Sequence, residues 1–104
     1  MQREELLQRV KQAVHQVEPE ADIILYGSRA RGDAQAESDR DFLILLDGAV
    51  DDARTDAVRH RLYEIEWESG EVLCSIVRSR QDWDSPWHQA TPFAKSVLAQ
   101  GIPL

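Results

Sequence analysis

Gly27 and Ser28 follow an apolar run, "DIILY", and after ten intervening residues Asp39 and Asp41 stand at the head of a second run, "DFLILL". Carboxylates two positions apart on a strand point to the same side. Like charges at that range repel, and folding gains from them only when a cation lies between them. Glycine lets a phosphate come close to the backbone. A serine hydroxyl and the N–H groups after it can bond phosphate oxygens, especially where a helix begins. Magnesium, a hard ion, is usually held by one or two carboxylates together with substrate phosphates. Gly27, Ser28, Asp39 and Asp41 therefore read as a phosphate cradle beside a metal site. Arg29 and Arg31 lie in the same turn, and their guanidinium forks match phosphate oxygens. Ser38 reads as a cap or orienting residue for the turn into Asp39, with a plain polar turn residue as the alternative. The plainer readings of the rest are a polar strand entry in "SDRD" and a solvated basic turn offsetting Asp33 and Glu37.

Positioning such a site requires strands on both sides of the turn. "DIILY" and "DFLILL" are short and almost wholly apolar, as strands buried on both faces are. Leu6, Leu7, Val10, Val14 and Val17 recur at helical spacing, which predicts an amphipathic helix over 2–17, ended by Pro19. Val58, Leu62 and Ile65 mark one face of a helix over 51–68, with Gly70 as its C-terminal cap. "EVLCSIV" is a third strand. "RSRQDWDSPWHQ" is mixed, with room for a short helix. A last helix has Thr91 as N-cap, Pro92 at its first position and Gly101 closing it. This order is α/β or α+β: a small mixed sheet flanked by helices, expected as one domain over 1–104.

The bulk composition excludes several classes. The formal net charge of −7 argues against a protein that holds a nucleic-acid template by neutralising phosphates. Cys74 is the only cysteine, so no disulfide forms within the chain and a reducing compartment fits. No stretch reads as a signal peptide or a membrane span; the expected location is the cytoplasm. Cys74 reads as a small core residue, and His15, His60 and His88 as surface residues without metal-ligand spacing. Trp67, Trp83 and Trp87 read as core and edge packing, with aromatic anchoring of a partner protein as the alternative.

"GSRARG" followed by "SDRDFLILL" resembles the signature of the DNA polymerase β-like nucleotidyltransferase superfamily, and most of all its minimal nucleotidyltransferases, often encoded beside a HEPN-domain partner. The resemblance implies that Gly27 and Ser28 contact a nucleoside triphosphate and that Asp39 and Asp41 bind magnesium, two ions with nucleotide bound. The implied reaction moves a nucleoside monophosphate from the triphosphate to an acceptor hydroxyl, on a partner protein such as a HEPN-type toxin. The superfamily usually carries a third carboxylate on the third strand, facing the first two. Here the interior of that strand has no acid: alternation splits it into Val72, Cys74 and Ile76 on one face and Leu73, Ser75 and Val77 on the other. Ser75 is expected at the missing acid's place, with Glu71 as the other candidate. A catalytically weak binding module that restrains a partner is therefore the rival reading, and a metal-dependent phosphate sensor a third.

Overall fold

The computed structural model describes residues 2–27 and 40–104; Ser28, Arg29, Arg31, Ser38 and Asp39 lie outside the described residues. Helix α1 (Arg3–Val17) buries Leu6, Val10, Ala13 and Val14 along one face. Glu4 and Glu5 occupy its first turn, where a negative charge suits the positive end of the helix dipole. Strand β1 (Asp22–Tyr26) runs antiparallel to β2 (Arg40–Leu46), with Tyr26 opposite Asp41. Helix α2 (Asp52–Ser69) starts where the Asp51 carboxylate accepts the Arg54 N–H at 2.8 Å and ends at Gly70, whose φ of 73° is left-handed. Strand β3 (Leu73–Ser79) pairs parallel to β2.

Beyond β3 the mixed stretch forms two single-turn helices, α3 (Arg80–Trp83) and α4 (Pro86–Gln89), capped by Ser79 and Ser85. Helix α5 (Pro92–Gln100) begins at the Thr91 cap. The chain then adds a two-residue strand, β4 (Ile102–Pro103), antiparallel to β1. Gly101 makes that return possible: a Cβ there would lie 2.5 Å from the Val97 carbonyl oxygen and 2.7 Å from Ile24 Cγ2. The sheet order is β3-β2-β1-β4. β3 begins two residues later than the apolar pattern suggests, where the Arg40 N–H donates to the Val72 carbonyl at 3.1 Å.

Both faces of the sheet are covered, which is why the central strand β2 is apolar throughout Phe42–Leu46. On one face Phe42, Ile44, Leu46, Leu73 and Val77 pack against the buried stripes of α1 and α2. On the other, Leu43 and Leu45 pack with Trp83, Ala94 and Val97, flanked by Ile24, Tyr26, Ile76 and Phe93. Trp83 is thus a core residue, whereas Trp67 and Trp87 are exposed. His60 is exposed; His15 and His88 are half-buried, His15 with Nε2 2.9 Å from the Ala21 carbonyl oxygen and His88 against the Trp83 ring.

Two arginines tie the elements together at the end of the sheet away from Gly27. Arg54 grips both carboxylate oxygens of Glu18, at 2.8 and 2.9 Å, and donates to the carbonyls of Asp47 and Ala49. Its guanidinium holds the Glu18 carboxyl below the usual carboxylate range, against the opposing effect of burial. Arg80 bonds Asp47 at 2.6 Å, Asp22 at 3.1 Å and the Glu20 carbonyl.

Candidate active site

At the opposite end of the sheet β1 finishes at Tyr26 and turns at Gly27 with φ of 80°, a left-handed conformation that glycine adopts without strain. There is a second reason for glycine. A Cβ built on Gly27 would lie 2.7 Å from Asp41 Oδ2, so the Asp41 carboxylate occupies the space a side chain would need. Sequence reasoning paired these two residues, and the structure brings them into contact. The other expected site residues, Ser28, Arg29, Arg31 and Asp39, fall outside the described residues.

Register decides what else shares this face. Asp41 stands opposite Tyr26 on β1 and opposite Cys74 on β3. Paired residues of neighbouring strands project to the same side, so Tyr26, Asp41 and Cys74 form one row across three strands. Burial pushes the Tyr26 phenol up to about 12, and the negative charge of Asp41 and then Cys74 push in the same direction. Tyr26 therefore remains a neutral hydrogen-bond donor through the physiological range. Its ring meets Phe93 edge-on at 5.3 Å, and Phe93 meets Trp83 at 5.9 Å, giving the row an aromatic flank from α3 and α5.

The same register corrects the expectation for Ser75. Ser75 pairs with Phe42 and so lies on the face covered by α1 and α2, away from the Asp41 row. Glu71 precedes the strand and its carboxylate comes within 3.5 Å of Arg40 Nε. Arg40 is buried, and its Nε and Nη1 find no hydrogen-bond acceptor among the described residues; the approach to Glu71 is an ion pair without hydrogen-bond alignment. The residue beside Asp41 is Cys74, a softer and weaker ligand for a hard ion than a carboxylate. No group of three or more histidine, cysteine, aspartate or glutamate side chains able to hold a metal occurs among the described residues. Tyr26 was missed by sequence reasoning because alternation within one strand does not say which residue of another strand it faces.

A mixed sheet with helices on both faces, a glycine turn at the end of one strand and an aspartate against it on the next define the class: an α/β domain with a glycine–aspartate turn at one end of its sheet. A family model described as nucleotidyltransferase domain matches residues 4–90. The chain belongs to that family, within the DNA polymerase β-like superfamily. Its members transfer nucleotidyl groups from nucleoside triphosphates and usually use divalent metals. The match spans α1 to α4, and with them Gly27 and Asp41, and stops short of α5 and β4. A search of curated proteins returned no match.

Proposed function

We propose that the chain binds a magnesium–nucleoside triphosphate, ATP in the first instance, at the turn after β1, and transfers the nucleoside monophosphate to a hydroxyl of a partner protein. The observation that carries this reading is the close approach of the Asp41 carboxylate to Gly27, because a side chain at position 27 would displace the carboxylate that would hold magnesium. Gly27 and Ser28, with Arg29 and Arg31, would hold the triphosphate; Asp39 and Asp41 would hold magnesium, which supplies charge neutralisation at the phosphates. The acceptor oxygen attacks the α-phosphorus, the bond to pyrophosphate breaks, and the acceptor proton leaves to a base. Tyr26, held neutral, offers a donor to a phosphate oxygen at the floor of the site. By family resemblance the partner is a HEPN-type protein, with the pair acting as toxin and antitoxin. The fit to magnesium is good at Asp41 and poor at Cys74, since a thiol is a soft donor.

That poor fit favours a second reading, a weak transferase whose main task is to bind and restrain its partner. Calorimetric and thermal-shift titrations with ATP separate the readings from each other and from failure of the site. Ligand at about a hundred times its Kd stabilises the fold by about 2.7 kcal/mol. Magnesium–ATP should raise the melting temperature more than ATP or magnesium alone, and Asp39→Asn with Asp41→Asn should abolish the difference. An equal shift in the double variant would refute the site. Binding without pyrophosphate release in the presence of the partner would select the second reading.

A further inference from the structure

Cys74 stands apart from the other apolar residues of β3. Leu73 and Val77 belong to the core against α1 and α2, and Ile76 flanks the core around Trp83; Cys74 belongs to neither. It is half-buried and borders an open groove of about 360 Å³ between α2 and β3. Its neighbour across the sheet is Asp41, whose carboxylate lies against the Gly27 turn. Both Asp41 and Cys74 act electrostatically on the Tyr26 phenol, so the three side-chain heads converge at one end of the sheet. A thiol kept beside a carboxylate, outside both cores, is not explained by packing.

The spacing suits a shared ion. Neighbouring strands lie about 4.7–4.9 Å apart, and paired side chains stand side by side at about that distance. An ion bound to carboxylate oxygen at about 2.0–2.2 Å and to thiolate sulfur at about 2.3 Å spans donors up to about 4.5 Å apart. A small lean of either side chain closes the difference. The donor set decides which ion fits. Magnesium demands oxygen ligands in near-ideal octahedral geometry at about 2.0–2.1 Å. A thiolate is soft and polarisable and suits zinc and similar borderline ions. Zinc also accepts four ligands with one position left for substrate. No third histidine, cysteine, aspartate or glutamate joins the pair among the described residues, so the remaining positions fall to phosphate oxygens and water.

We propose that the ion position between Asp41 and Cys74 takes a borderline divalent ion, with zinc as the type, and that magnesium is left to the triphosphate alone. The inference rests on the nucleotide site proposed above and assigns the ion beside it. Binding exchanges a proton for the metal: the Cys74 S–H bond breaks, a sulfur–metal bond forms, and the proton passes to solvent. Asp41 bridges the two ions, and Cys74 makes them chemically different.

Cobalt(II) is the probe, because a thiolate bound to it gives a charge-transfer band in the near ultraviolet that carboxylates, imidazoles and phosphates do not give. Cys74 is the only cysteine of the chain, so the band has a single source. The full chain is titrated with cobalt chloride in the presence of magnesium and a non-hydrolysable ATP analogue. The band is expected to saturate at one ion per chain, to withstand a large excess of magnesium and to bleach when zinc is added. Cys74→Ser should abolish it. Asp41→Asn should weaken cobalt binding by at least ~10-fold, since loss of even an outer-sphere partner costs ~10–100-fold. Should either variant lose its far-ultraviolet dichroism, the band of the unaltered chain and its resistance to magnesium decide. A missing band at saturating cobalt, while magnesium and the analogue still raise the melting temperature, overturns this inference and leaves the nucleotide site standing. A band of unchanged affinity in Asp41→Asn shows binding by the thiol alone and overturns it as well. Loss of both the band and the thermal shift overturns the inference together with the site.

Discussion

Replacing Gly27 by alanine isolates the geometry at the centre of the site. Two penalties add. Alanine at a left-handed φ of 80° costs about 1–2 kcal/mol, because its Cβ crowds the following carbonyl. The new Cβ would also lie 2.7 Å from Asp41 Oδ2, well inside contact distance. That oxygen is the far end of a side chain with two torsions, so the carboxylate turns aside instead of the backbone moving. Holding it off its preferred rotamer costs about 0.5–1.5 kcal/mol. The expected loss of stability is about 1.5–3.5 kcal/mol. A double-mutant cycle with Asp41→Ala separates the parts, since that background keeps the backbone penalty and removes the clash. Gly27→Ala should then lose only about 1–2 kcal/mol, leaving a coupling of about 0.5–1.5 kcal/mol. Urea unfolding followed by tryptophan fluorescence measures all four corners. A loss that is the same in both backgrounds, within about 0.3 kcal/mol, would show that the two residues do not touch and would remove the observation on which the proposed function rests.

Other expectations can be checked alongside. Cys74→Asp should raise nucleotidyl transfer by at least ~10-fold, given that groups activating a nucleophile contribute ~10²–10⁴, while Ser75→Asp on the opposite face should not; the reverse result would mean that the faces of β3 are misassigned. The Tyr26 phenol titrates at about 12 in the folded chain against an ordinary 10, so its contribution is complete below pH 10 and is lost as pH rises towards 12. The fall is about 1–2 kcal/mol after allowing for partial exposure; Tyr26→Phe should abolish it in chemical unfolding at alkaline pH, and an unchanged pH dependence would rule it out. Trp83→Ala should cost about 3–5 kcal/mol because the ring is buried in the second core, whereas Trp87→Ala, 86% exposed, should stay within about 0.5 kcal/mol; comparable losses in the two would contradict the core assignment.

Local features were legible in the sequence because local chemistry decides them. Thr91 caps α5 as its side chain allows, and Gly70 ends α2 in the one conformation that favours glycine. The unbroken apolar run of β2 announced a strand covered on both faces, and Gly27 and Asp41 were paired as site residues from type and spacing alone. Alternation also divided β3 correctly into its two faces. It could not say which face meets Asp41, because period two leaves a twofold choice that only the packing of α1 and α2 resolves. Tertiary structure therefore put Cys74, not Ser75, beside Asp41, and brought Tyr26 to the same row. It also created β4, since a two-residue strand containing proline has no periodicity to read and exists only where Gly101 lets the chain pass close to Ile24. The clamps of Arg54 on Glu18 and of Arg80 on Asp22 join residues far apart along the chain. Charge and spacing in the sequence leave such partners open, because which guanidinium reaches which carboxylate depends on where the folded backbone has already carried them.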